Sequence, residues 1–209
     1  MSENTDTLKD DIAFMRALAQ EGRRAPLLGG ACLLAAGLLF SAATLVSWGM
    51  TAGLIILPSF WYLGVWVVAT IAFYCVLAAL LVSWRRAAKP GATSAGNRAF
   101  RGAWSAGGWA MTAIAIGSSL VSWRLHTWLV FAAFPSIILS VYGAAWMMSA
   151  MVSDRWWVRW VAAGCFIAAI GLPLAPSIQA EYLAFAAALL LLMAAPGAAL
   201  MRAEPSDIV

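Results

Sequence analysis

Six stretches of apolar residues follow one another along this chain, separated by short polar segments. They run from Ala25 to about Trp48, Pro58 to Trp84, Ala103 to Ser122, Trp128 to Val152, Trp156 to Leu172, and about Ser177 to Met201. Roughly 20 apolar residues in a helix cross the hydrocarbon of a bilayer, so stretches of this length read as spans. The pattern predicts an all-α membrane protein of six transmembrane helices arranged as three helical hairpins. The first hairpin occupies residues 25–84. A basic linker, 85–102, precedes a four-helix region, 103–201, that holds the other two, and residues 202–209 form a tail.

The first 24 residues have a different pattern. Thr7 with Asp10 resembles a capping box. Leu8, Ile12, Met15 and Ala19 then recur at helical spacing, with Asp11, Arg16 and Glu21 elsewhere around the wheel. This predicts an amphipathic helix over 7–22, lying on the cytoplasmic membrane surface or packed on a partner protein. A secretory signal would explain Arg23-Arg24, the apolar run and Ser41-Ala42-Ala43. The run continues past those small residues, however, and five more follow it, so it is read as a retained span.

Composition agrees with lipid as the solvent: 64% of residues are hydrophobic and 11% charged, whereas soluble domains carry roughly 25% charged residues. The net charge of +4 does not indicate nucleic acid, because the basic residues lie between apolar runs and no segment is long enough for a soluble basic face. Cytoplasmic loops retain Lys and Arg. With the N-terminus inside, twelve of the thirteen basic residues are cytoplasmic and only Arg124 is outside. Both termini are therefore expected in the cytoplasm. Arginine outnumbers lysine by 11 to 2, a bias of GC-rich bacterial genomes, and a bacterial inner membrane is the expected location.

Tryptophan marks the span ends. Trp48, Trp61, Trp123 and Trp128 fall at outer ends, and Trp84, Trp104, Trp156, Trp157 and Trp160 at inner ends, where the indole N–H meets the headgroup zone. A hairpin repeat is also suggested. Each returning helix opens with the same pair, Pro58-Ser59, Pro135-Ser136 and Pro176-Ser177. The outer ends of the first and third spans share Leu45-Val46-Ser47-Trp48 and Leu120-Val121-Ser122-Trp123. A third copy of that tetrad at 81–84 lies at an inner end, so composition alone can generate it, and proline suits the first turn of any helix.

Candidate chemistry is sparse. No span carries an ionisable residue near its centre, which disfavours ion or proton coupling. His126 is the only histidine, so neither a paired-histidine haem site nor a three-ligand zinc site can be built. Cys32, Cys75 and Cys165 are isolated within apolar runs and read as filler. Asp154 beside Arg155 reads as a cap or a local ion pair. Gly29-Gly30 and Gly107-Gly108 lack the context of a phosphate loop. No catalytic residue, cofactor or metal is expected, and the chain is not expected to be an enzyme.

Weakly polar stripes remain. Gly37, Ser41, Thr44 and Trp48 share one face, as do Ser136, Ser140, Gly143 and Met147, while Gly164, Ala168 and Gly171 follow the small-xxx-small spacing. Such stripes serve helix packing in lipid, or else line a narrow pathway to which Thr70 and Tyr74 would be added. Arg124 and Glu181 are expected to face each other across the outer surface. Three functions follow: a non-enzymatic accessory or regulatory subunit acting by helix association, a small transporter or channel for an uncharged or lipophilic solute, or a lipid- or quinone-modifying enzyme. The expected partners are the bilayer, a membrane or cytoplasmic protein, and further copies of the chain.

Overall fold

The computed structural model describes residue 12, residues 27–86, 93–153 and 155–204; the expected surface helix over 7–22 lies outside them. The described residues contain helices and no strand. In chain order these are α1 (Gly30–Thr51), α2 (Trp61–Arg86), α3 (Ala95–Leu125), α4 (Phe134–Val152), α5 (Trp156–Gly171), α6 (Ile178–Leu189) and α7 (Ala195–Arg202). One wide π turn, Leu190–Ala194, joins α6 to α7, so the last two form a single rod.

Five of these rods are long and apolar enough to cross a membrane: Gly30–Thr51, Trp61–Trp84, Leu129–Val152, Trp156–Leu174 and Ile178–Arg202. The sixth expected span is different. Helix α3 has ample length, at 31 residues, but glycine, serine and tryptophan dilute its apolarity and Arg98 and Arg101 lie in its first turns.

Helix α3 also begins earlier than the linker 85–102 implies. Ser94 caps it by accepting a hydrogen bond from Asn97 N–H at 3.2 Å. Its arginines break the apolar pattern without breaking the helix. At the far end His126 adopts a left-handed conformation (φ 50°), and both its N–H and that of Thr127 close onto Ser122 O.

The seam between α1 and the α6–α7 rod forms the centre. In lipid, helices gain no hydrophobic driving force from meeting, so close van der Waals contact must hold them. Glycine provides that closeness. A Cβ on Gly37 would lie 2.5 Å from Ala194 N, and one on Gly197 would lie 2.5 Å from Leu34 N and 3.0 Å from Gly30 O. Backbone therefore packs on backbone, and no side chain larger than hydrogen fits at these positions.

Helices α4 and α5 pack extensively on each other, with Gly143 against the ring of Phe166. They join the seam through a core that includes Trp146, Cys165, Met193 and Leu200 at one end and Leu139, Phe185 and Leu189 at the other. Among the described residues helix α2 leans mainly on α1, through the rings of Phe40, Trp66 and Phe73, and α3 leans on α4. Only 6% of the most apolar window of α2 is buried. The first two expected hairpins, α1–α2 and α3–α4, make side-by-side contacts. In the third, α5 and α6 barely touch.

The repeated pairs occupy unlike registers. Pro58-Ser59 precedes α2, Pro135 lies in the first turn of α4, and Ser177 is the N-cap of α6, accepting from Ala180 N–H at 3.2 Å.

Candidate functional site

The residues expected to line a pathway do not converge. Ser41 and Thr44 are buried in the central seam. Ser41 Oγ donates across it to Ala186 O at 3.2 Å, and Thr44 Oγ1 donates to Phe40 O of its own helix at 2.8 Å. Ser140 lies on the exterior and donates back to Ser136 O at 2.8 Å, and Tyr74 is exposed on α2. Thr70 is half-buried. The Ser136 hydroxyl is enclosed with no partner among the described residues.

Ser122 Oγ donates forward to Thr127 O at the end of α3, whereas three other buried hydroxyls follow Thr44: Ser47 gives its proton to Ala43 O, Ser149 to Ala145 O and Ser153 to Ser149 O. Each of the three is occupied by the carbonyl one turn back, which is how Ser and Thr are accommodated inside helices. The two best-defined hollows are open grooves. One is lined by Ala78, Ala79, Val82 and Ser83 on α2; the other lies between α5 and α6, beside Gly171 and Ala180.

Three polar contacts between distant segments lie together at the end where α1 starts. Leu28 N–H donates to Asn97 Oδ1 at 2.8 Å, and Gly29 and Gly30 N–H both donate to Glu204 Oε1 at 3.0 Å. The first N–H groups of a helix lack partners within it, and its dipole favours an anion there. Gly29, at φ 130°, makes the bend that turns these donors toward the carboxylate. Three segments distant in sequence are thus clamped together: the start of α1, the start of α3 and the end of α7. The sequence reading assigned Asn97 to a linker and Glu204 to a tail. Asn97 is fully buried, yet Ser94, Gly96 and Arg98 around it give no signal of that in the sequence.

Another cross-helix bond lies deeper. Pro196 has no N–H to offer the carbonyl four residues back, Leu192 O. The indole of Trp146, which is completely buried, donates to that carbonyl at 3.0 Å. Trp104 stacks edge-on against Trp146 at 5.1 Å, with its own N–H enclosed and unpartnered. Trp104, one of the expected interfacial anchors, is half-buried and packs against Phe100, Tyr142 and Trp146.

Of the remaining expected anchors, Trp61, Trp123, Trp128 and Trp156 are exposed, while Trp48, Trp84 and Trp157 are half-buried. Among the described residues Arg124 and Glu181 form no ion pair with each other. Arg124 is exposed on the last turn of α3, and Glu181 lies in the first turn of α6, two helices that make no substantial contact. Comparison with protein-family models, curated proteins and solved structures finds no match to this chain.

Proposed function

We propose that this chain is an integral protein of a bacterial inner membrane, crossing it six times with both termini in the cytoplasm. It acts by helix association as an accessory or regulatory subunit, without chemistry of its own. The observation that carries this reading is the filled centre: Gly37 lies on Ala194, Gly197 on Gly30, and the hydroxyls of Ser41 and Thr44 are occupied by protein carbonyls. Transport of an uncharged solute would need a path joining Ser41 and Thr44 to Ser140 and Tyr74. The first pair is shut in the seam and the second lies outside it.

A crossing by α3 is supported by its length and by its ends, with Arg98 and Arg101 near one and Arg124 near the other. Affinity-tagged full-length protein, extracted from its own membranes in mild detergent, should carry another membrane or cytoplasmic protein in fixed stoichiometry. Recovery of this chain with no other protein, under conditions that keep known complexes of the same membrane intact, would contradict the accessory role.

A further inference from the structure

Helices α2 and α3 are both poorly covered, yet they are chemically unlike. The exposed face of α2 carries Leu63, Val67, Val68 and Ile71 and suits lipid. Helix α3 lacks the apolarity of the five other rods, and its Gly102, Gly108 and Gly117 open onto empty space. Gly108 and Gly117 lie on opposite faces of the helix, and on the face of Gly117 an uncovered small residue suits close approach by another helix better than by acyl chains.

A crevice with a charge of opposite sign to that of Arg124 beside it lies between α5 and α6. The crevice has small residues, Ala168, Gly171, Ala180 and Ala184, on its helical walls and larger apolar ones, Ile167, Leu172 and Leu174, beside them. Glu181 stands beside it, next to Ala180 in the first turn of α6. The far half of α3 exposes Ile116 and Leu120 around Gly117, and Arg124 follows one turn later. Gln179 Nε2 donates to Thr51 O at 3.4 Å, which sets the start of α6 level with the end of α1. Helix α3 ends on that same side, because successive helices alternate in direction. Copies sharing one membrane orientation therefore present Arg124 and Glu181 at matching depth.

We propose that the chain self-associates head to tail: the far half of α3 of one copy enters the α5–α6 crevice of the next, and Arg124 pairs there with Glu181 of that second copy. This rests on the association reading above and specifies one partner for it. The contact joins two different surfaces, so repetition builds a ring or an open row. The opposite charges, unpaired with each other within one chain, select a second copy as the occupant.

The test uses the full chain with Cys32, Cys75 and Cys165 replaced by alanine, reconstituted in phosphatidylcholine–phosphatidylglycerol vesicles, its helicity and monodispersity checked beforehand. Differently tagged copies carrying R124C and E181C are mixed and oxidised. A disulfide-linked pair should form in the mixture and not in vesicles holding either variant alone. Separately, by energy transfer between labelled copies, R124E or E181R should each weaken association by about two- to five-fold, the range of an exposed ion pair, and the exchanged double variant R124E/E181R should restore it. Equal crosslinking in the single-variant vesicles, no crosslinking by well-folded protein, or a charge loss that exchange does not rescue would overturn the contact. A chain monomeric at every protein-to-lipid ratio overturns this inference alone; co-purification with other proteins decides the accessory role separately.

Discussion

Gly30 and Gly37 of α1 and Gly197 of α7 sit where one added methyl group would strike backbone, whereas the glycines of α3 at 102, 108 and 117 meet nothing within 4 Å. The residue type and the helical setting are the same, but the two places use them differently. In the seam, glycine is consumed by contact between this chain's own helices, and the hydroxyls beside it are turned to carbonyls. On α3 the small residues are unspent. The comparison separates what holds one molecule together from what remains for a neighbour, a distinction that composition cannot make.

The largest effect should come from the seam. Gly37→Leu must displace α1 from Ala194, and a loss of about 3 kcal/mol or more is expected, as for severe overpacking. Reversible unfolding in mixed micelles would measure it. The matched change Gly117→Leu should stay within about 0.5 kcal/mol, as for an exposed site. Equal effects at the two positions would erase the comparison.

Next comes the bond at the π turn. Trp146→Phe keeps most of the packing but leaves Leu192 O buried without a donor, at a cost of about 1–3 kcal/mol. Pro196→Ala in that background supplies an N–H four residues on and should return part of the loss, whereas a purely additive double variant would disprove the coupling.

The clamp gives smaller effects. Asn97→Ala leaves Leu28 N–H without its partner and should cost about 1–2 kcal/mol. Glu204→Gln keeps an acceptor oxygen and removes only the charge at the start of α1, so about 0.5–1 kcal/mol is expected. Amide exchange at Gly29 and Gly30 should quicken in Glu204→Gln if the carboxylate is their partner. Opposite in sign is Gly108→Ala, a change into open space within a helix, which should stabilise by up to about 1 kcal/mol.

Much of the architecture was legible because lipid imposes strong patterning. Apolar runs bounded by arginine and tryptophan located the helices within a few residues. Gly37, Ser41 and Thr44 were recognised as one stripe, and they do share the packed face of α1. Three features were not legible, each for a physical reason. Periodicity reports a helix's own faces and says nothing of which helix lies opposite, so the pairing of α1 with α6–α7 was hidden. Arg98 and Arg101 interrupt hydropathy while leaving α3 intact, so its start at Ala95 was missed. The clamp depends on Asn97 and Glu204, distant in sequence and each ordinary in its local context. Spacing cannot reveal such a meeting.

The account depends most on the middle of the bundle being closed to water. Single cysteines introduced at Ser41 and Thr44, with the native cysteines removed, can be exposed to a membrane-impermeant maleimide on either side of intact vesicles. The packed seam predicts no labelling at either position until the protein is denatured, while a cysteine at exposed Arg124 reacts at once from one side. Rapid labelling of Thr44→Cys in the folded protein would mean a water-filled path, and the packed, association-based account would fail.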